Sequence, residues 1–380
     1  MNETPPLSWR RLVALMIKEL IQMRRDRLTF AIMLGVPLLQ LLLFGYAINT
    51  DPKALPTAVN IEEAGPFSRA FAAALTNSGY FRLTAQVSGE AEADRLLATG
   101  AVQFVVTIPA GFERALVRGE HPALLVEADA SDPIAAANAV AALAQFARTA
   151  FDSELTGPLA HLQSVPDPVE LRVHRRYNPE GSTQYNIVPG LMGVILTMTL
   201  VMMTALSVTR ERERGTMENL LAMPVRPAEV MAGKILPYIG VGYVQVVIIL
   251  AAAKWLFGVP VFGSLTLLSA MLLLFIAANL AVGFTFSTLA QNQLQAVEMS
   301  FFFFLPSMLL SGFMFPFRGM PDWAQWVGEI FPLTHFLRIT RGIMLKGSGW
   351  TEIWPEAWPI AAFLALAAGV ALKRYRMTLD

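Results

Sequence analysis

Residues 210–234 read RERERGTMENLLAMPVRPAEVMAGK, with nine charged side chains in 25 positions. They are flanked by 29 residues without a charge (181–209) and by 19 more (235–253). A helix needs about 20 mostly apolar residues to cross a bilayer. The charged segment is therefore a polar connection between two membrane spans, and the chain is a polytopic α-helical membrane protein.

Working outward gives six transmembrane helices. Residues 28–50 are 23 positions without a charge and form the first. Residues 181–209 form the second. The third begins at Ile235. The 43 uncharged residues 255–297 are too long for one helix and divide at Gly258-Val-Pro260 and Phe262-Gly-Ser264. One span thus ends near Phe257 and the next covers about 265–290. Residues 299–315 make the fifth, so that 235–316 hold spans three to five. The sixth, 356–373, is shorter and precedes a tail at 374–380. The first stretch exceeds a signal-peptide core and no small-x-small cleavage site follows it, so it reads as a retained anchor.

Lysine and arginine placement orients these helices. Arg10, Arg11, Lys18, Arg24, Arg25 and Arg27 precede the first span, the opening segment lies between the second and third, and Lys373, Arg374 and Arg376 close the chain. Six spans put all three groups on one side, which the positive-inside rule makes cytoplasmic, with both termini. The expected location is a plasma membrane, the inner membrane in a bacterium. Residues 1–27 carry an apolar stripe at Trp9, Leu12, Val13, Met16, Ile17, Leu20 and Ile21, the pattern of an amphipathic helix lying in the interface.

The composition agrees: 54% of the residues are hydrophobic and 15% charged, and mean hydropathy is +0.49. Zero net charge gives no basic footprint for nucleic acid. With no cysteine, disulfides and thiolate metal sites are excluded. The four histidines show no ligand spacing, and no metal site is expected.

Residues 51–180 have ordinary soluble composition and read as an extracytoplasmic α/β domain between helices 1 and 2. Strands are expected at 57–61, 81–87, 102–108 and 123–128. Helices are expected at 66–78, 90–98, 109–118 and 133–155. The domain shows no catalytic constellation. Asp129-Ala-Ser-Asp132 reads as a solvated loop with Asp132 capping the helix that begins at Pro133. Residues 317–355 mix Trp323, Trp326, Ile330 and Phe336 with Arg318, Glu329, Arg338 and Arg341, which suggests short helices dipping into the outer leaflet.

Inside the charged segment, Thr216 can cap a helix of about two turns ending at Pro224, and a second short helix can start at Pro227. So short a helix needs a cover: bilayer, neighbouring helices or a partner. Here the residues resemble a known family. Glu211-Arg-Glu-Arg-Gly-Thr-Met-Glu-Asn-Leu-Leu221, then Pro224-Val-Arg-Pro227, Lys234 and Pro237-Tyr238, is similar to the first cytoplasmic loop of type-2 ATP-binding-cassette (ABC) permeases. Tyr177-Asn-Pro179, Val188-Pro-Gly190, Ser311-Gly-Phe-Met-Phe-Pro316 and Phe331-Pro-Leu-Thr-His335 resemble that family as well, and the large insert matches its multidrug-efflux-like branch.

The resemblance implies a coupling helix that docks on a separate ATPase through Glu211, Arg212, Glu213, Arg214, Gly215, Thr216, Met217, Glu218 and Leu221. No Gly-x-x-x-x-Gly-Lys-Ser/Thr occurs, so this chain is a transport subunit without catalytic residues. ATP and magnesium would be held by the partner ATPase, and no cofactor by this chain. Two ATPase subunits, a second permease half (identical or paralogous), the bilayer, and an adaptor with an outer-membrane channel are the partners implied. Polar residues within the spans are candidates for a cargo path or for helix-to-helix contacts: Gln184, Tyr185, Asn186, Tyr238, Tyr243, Gln245, Asn279 and Glu298. Three functions stay open at this level: an exporter permease for hydrophobic or amphiphilic cargo, a membrane scaffold or sensor with a ligand-binding outer domain, and an integral-membrane enzyme. The last lacks a catalytic constellation at membrane depth.

Overall fold

The computed structural model describes residues 52–152, 154–164, 167–213 and 227–374. The expected interfacial helix, the first span, the core of the charged loop and the tail from 375 lie outside the described residues.

The first half is a five-stranded sheet with helices on both faces. Its strands are β1 (Leu55–Ile61), β2 (Phe81–Gln86), β3 (Phe104–Ile108), β4 (Ala123–Asp129) and β5 (Glu170–Arg176), in the order β2-β1-β3-β4-β5. Only β3 and β4 run antiparallel. Strands covered on both sides carry continuous apolar runs. Most of β1 and β3 are buried accordingly. One face holds α1 (Pro66–Asn77), α3 (Phe112–Val117) and α4 (Pro133–Phe146), around Phe67, Phe71, Phe112 and Phe151. The other holds α2 (Glu90–Ala98), around Ala93, Leu97, Val87 and Val105.

The expected strands and helices are present with shifted ends. The helix expected from Pro109 begins at Phe112, because Gly111 takes a left-handed conformation at φ 79°. The helix from Pro133 stops at Phe146 rather than Leu155, and turns follow. The fifth strand was not expected. ELRVHRR is an edge strand with five charged or titratable side chains in seven, a common guard on a sheet edge, and that composition hides it.

Among the described residues, five helices that follow the domain are long and apolar enough to span a membrane. These are α5 (Thr183–Glu213), α6 (Pro227–Trp255), α7 (Leu265–Leu289), α8 (Gln293–Leu310) and, after two short helices, α11 (Trp350–Arg374). The second short helix anticipated at Pro227 is the start of α6, which continues through Pro237. The fifth expected span begins earlier, at Gln293, where Asn292 caps it by accepting from the Gln295 N–H. The last is longer than expected and includes Pro355 and Pro359. The protein is thus a multi-pass helical membrane protein whose apolar spans are preceded by an α/β domain.

Helices α5 and α7 are the most buried, whereas α6 and α11 turn most of their apolar surface outward. Between α8 and α11 lie α9 (Asp322–Gly328), α10 (Pro332–Arg341) and one π-helical turn, Gly342–Lys346. Helix α10 packs into the bundle. Phe336 stacks on Phe275 with centroids 3.9 Å apart, and Gly193 of α5 leaves room for Leu333 and Phe336. Phe275 lies ten positions into α7, about 15 Å from its domain-side end at 1.5 Å per residue.

Close approach of α5 and α7 depends on Gly283: a Cβ there would lie 2.5 Å from the Val201 carbonyl oxygen. Backbone cannot yield as a side-chain tip can. Gly283→Val is expected to destabilise the protein by about 1–3 kcal/mol, the usual scale of overpacking. Gly240→Val, at an open position in α6, is the control. Thermal unfolding in detergent checks both, and equal melting temperatures would contradict the packing argument.

Candidate functional site at the domain–membrane junction

Strand β5 feeds α5 through a six-residue elbow, 177–182. Tyr177 adopts φ 68°, a left-handed conformation that costs a non-glycine residue of order 1–3 kcal/mol. Its neighbours hold it there. Asn178 is fully buried, and its side chain both accepts from the Ser182 N–H (2.8 Å) and donates to the Ser182 carbonyl (2.9 Å). Arg176, the last residue of β5, donates to Glu127 of β4 and reaches Asp94 of α2 at 2.8 Å. Burial, followed by the nearby charge of Asp129, pushes the Tyr177 phenol up to about 12.

The π-helical turn after α10 makes the second attachment. Lys346 donates to Asp129 at the end of β4 (2.5 Å) and to the Leu97 carbonyl of α2 (3.2 Å), and lies 5.1 Å from the centre of the Tyr177 ring. The lysine and aspartate side chains are 9% and 8% exposed, so the pair is out of water. Asp129 is therefore no member of a solvated loop. The turn is also tied to the connection between α6 and α7: Phe262 and Gly263 N–H groups donate to the Met344 and Ile343 carbonyls at 3.0 Å each. A Cβ on Gly263 would stand 2.5 Å from the Ile343 oxygen, which accounts for the glycine.

Beside this latch lies a four-residue charge network. His335 Nδ1 is 2.6 Å from a Glu356 carboxylate oxygen, and Nε2 is 2.8 Å from the Glu329 carbonyl. Both ring nitrogens thus have a hydrogen-bond partner within reach. Arg338 donates to Glu329 (2.6 Å) and to Glu356 (3.2 Å). Glu329, His335 and Glu356 each offer a ligand atom within 4.8 Å of the others. Arg338 already supplies the positive charge that a metal would bring, so the group is complete as an ion network. His335, which the sequence offers only as the end of the Phe331–His335 motif, is its centre.

Latch and network line one cavity of about 300 Å³ between the domain and the bundle. Arg318, Arg341, Asp132 and Glu352 also line it. Burial, helped by the charge of Arg338 and opposed by those of Asp132 and Asp129, holds the Arg341 guanidinium below the ordinary arginine value.

At the opposite ends of the helices, Glu213 closes α5. Its carboxylate accepts from the Gln293 backbone N–H (2.7 Å) and from the Gln293 side chain, clasping α5 to the start of α8. Those bonds, side chain first, hold the carboxyl below its usual range, so the clasp is present above that range and weakens as pH falls through it. Glu211 and Arg212 share the last turn of α5. Arg214, Gly215, Thr216, Met217, Glu218 and Leu221 lie outside the described residues.

The polar residues of the spans do not gather into one path. Gln184 is exposed and accepts from Ser182 in the elbow. Tyr185 and Tyr238 are half-buried against the bundle core. Tyr243 donates to the Ser269 carbonyl (2.9 Å), tying α6 to α7, and Gln245 accepts from Thr199 (3.0 Å), tying α6 to α5. Asn279 donates within its own helix to Phe275. Glu298 is half-buried in α8. Asn186 is buried, and its Oδ1 has no hydrogen-bond partner among the described residues.

Comparison with known proteins places this geometry. Residues 27–373 match the family described as ABC-2 family transporter protein. The probable multidrug ABC transporter permease YbhS of Escherichia coli strain K12 is 30% identical over 352 residues, 90% of this chain and 91% of the relative. The probable multidrug ABC transporter permease YbhR of the same strain is 30% identical over 349 residues, covering 91% and 94%. The inner membrane transport permease YhhJ of that strain is 29% identical over 299 residues, 76% of each chain.

Removing one member of a buried ion pair strands the other, at a cost of about 3–5 kcal/mol. Lys346→Met and Asp129→Leu singly are expected to lower the unfolding midpoint in detergent and expose the elbow to protease. The double variant should recover most of the loss. Additive losses would show that the two groups do not act as a pair.

Proposed function

The chain belongs to the ABC-2 family of transporter proteins, and from that premise we propose that it exports a hydrophobic or amphiphilic cargo driven by a separate ATPase. It is a permease component, the type of subunit that carries no ATPase domain. The names of the YbhS and YbhR relatives favour drug-like cargo within that class.

The observation that carries the reading is the continuity of α5. Its 31 residues, about 46 Å at helical rise, run from the elbow of the α/β domain to the Glu213 clasp at the charged loop. A push on the loop passes along this continuous helix, which includes Pro189 near the elbow, and through Gln293 to α8. In this reading residues 210–234 dock on the ATPase, which holds ATP and magnesium. The sheet domain faces outward, both termini lie in the cytoplasm, and the membrane is a bacterial inner membrane crossed six times. The hairpin of α9 and α10 occupies the outer leaflet and moves with α5 and α7. A second permease half, the same chain or a paralogue as the YbhS and YbhR pair suggests, completes the path. Asn186, with its buried acceptor, is the best-supported polar contact for cargo or for that second half. An adaptor and outer-membrane channel would extend the path outward.

Purification with a cognate ATPase subunit and reconstitution in liposomes tests this. Glu218→Lys and Gly215→Trp should lower ATP turnover about tenfold or more, equivalent to about 1.4 kcal/mol of coupling. Gln293→Ala, which opens the clasp from the α8 side, should keep the complex assembled while uncoupling turnover from dye export. If Glu218→Lys and Gly215→Trp leave assembly and turnover unchanged, the docking role is wrong.

A further inference from the structure

We propose that the junction cavity binds the phosphodiester headgroup of an anionic amphiphile whose chains lie along the outward face of α9. The argument begins with the charges lining the cavity. Lys346 is committed to Asp129, and Arg338 to Glu329 and Glu356. Arg318 and Arg341 line the same space, and neither has a carboxylate within salt-bridge distance among the described residues. Arg341 donates through one terminal nitrogen to the Gly312 carbonyl (3.2 Å), while its buried Nε has no hydrogen-bond partner among the described residues. A guanidinium is a planar fork that matches phosphate oxygens, and a buried N–H without an acceptor calls for one.

The remaining lining groups narrow the ligand. Glu352 accepts from the Gly349 N–H (2.8 Å) and from Thr351, and Asp132 lies across the cavity wall on the domain side. Acidic groups beside two arginines disfavour a bare anion. They suit a headgroup that joins a phosphodiester to hydroxyl donors. About 300 Å³ is the scale of a small-ligand pocket and holds such a group.

Helix α9 supplies the amphiphile half of the argument. In α9 and the turn that follows it, Gln325 and Glu329 face the cavity, whereas Trp323, Trp326, Val327 and Ile330 are exposed. One turn of helix therefore separates a charged cavity from an apolar strip, the arrangement that a headgroup with attached chains requires. Tryptophan suits that boundary, apolar in body with one polar N–H.

The test uses the full chain in detergent, without an ATPase, so its outcome is independent of export. Binding of dioctanoyl phosphatidylglycerol is measured by native mass spectrometry and calorimetry against dioctanoylglycerol and inorganic phosphate. Saturable one-to-one binding of the phospholipid is expected, at least about tenfold tighter than either control. Arg318→Gln, at an exposed rim position, keeps the fold and should weaken it about tenfold. Arg341→Gln should weaken it further, with Arg341→Lys between. Equal binding of dioctanoylglycerol, equal binding of inorganic phosphate, or indifference to Arg318→Gln would each overturn the proposal.

Discussion

A single buried ion pair, Lys346 with Asp129, sets the relation between the two halves of this protein. A lysine out of water is tolerated only beside a partner, and loss of that partner leaves an unpaired charge. The Leu97 carbonyl and the Tyr177 ring complete the surroundings of the ammonium group. One side chain thus gathers the end of β4, the end of α2 and the elbow onto the π-helical turn. The cavity exists because these elements meet there, and its charged lining is held by the same contacts.

The bundle adds a mechanical consequence. Helix α5 emerges from an elbow stiffened by Asn178 and passes Gly283 of α7 at backbone contact. It ends in a clasp with Gln293. Small residues let helices in lipid approach closely, and dispersion contacts then hold them where no hydrophobic drive acts between them. Tyr243 and Gln245 use their polar atoms to fasten α6 to its neighbours, so their presence in the spans is explained by helix contacts. The His335 network does the same for α10 and α11 through charge. These polar groups hold helices in register.

Much of the architecture was legible in the sequence. Uncharged runs of 16 to 43 residues mark the spans, because a helix in hydrocarbon cannot hide a charge cheaply. Alternation of apolar runs with capped helices reveals the sheet domain. Strand β5 escaped because its edge position tolerates ELRVHRR, in which alternation is masked by charge. The break of α4 at Phe146 escaped because no glycine or proline follows it before Gly157. The family, and the role of the charged loop within it, came from residues 210–234 and the motifs around them.

The junction site was not legible. Asp129 and Lys346 are 217 residues apart, and neither sits in a local pattern that announces the other. Read alone, Asp129 belongs to a turn and Lys346 to a mixed apolar segment. By itself the sequence determined what must lie in lipid, what must fold as a soluble domain, and where a charged loop joins two spans, since those follow from local hydrophobicity and its period. The tertiary structure alone decided which buried charges meet, because pairing in a low-dielectric interior depends on distances of a few ångströms between segments far apart in the chain.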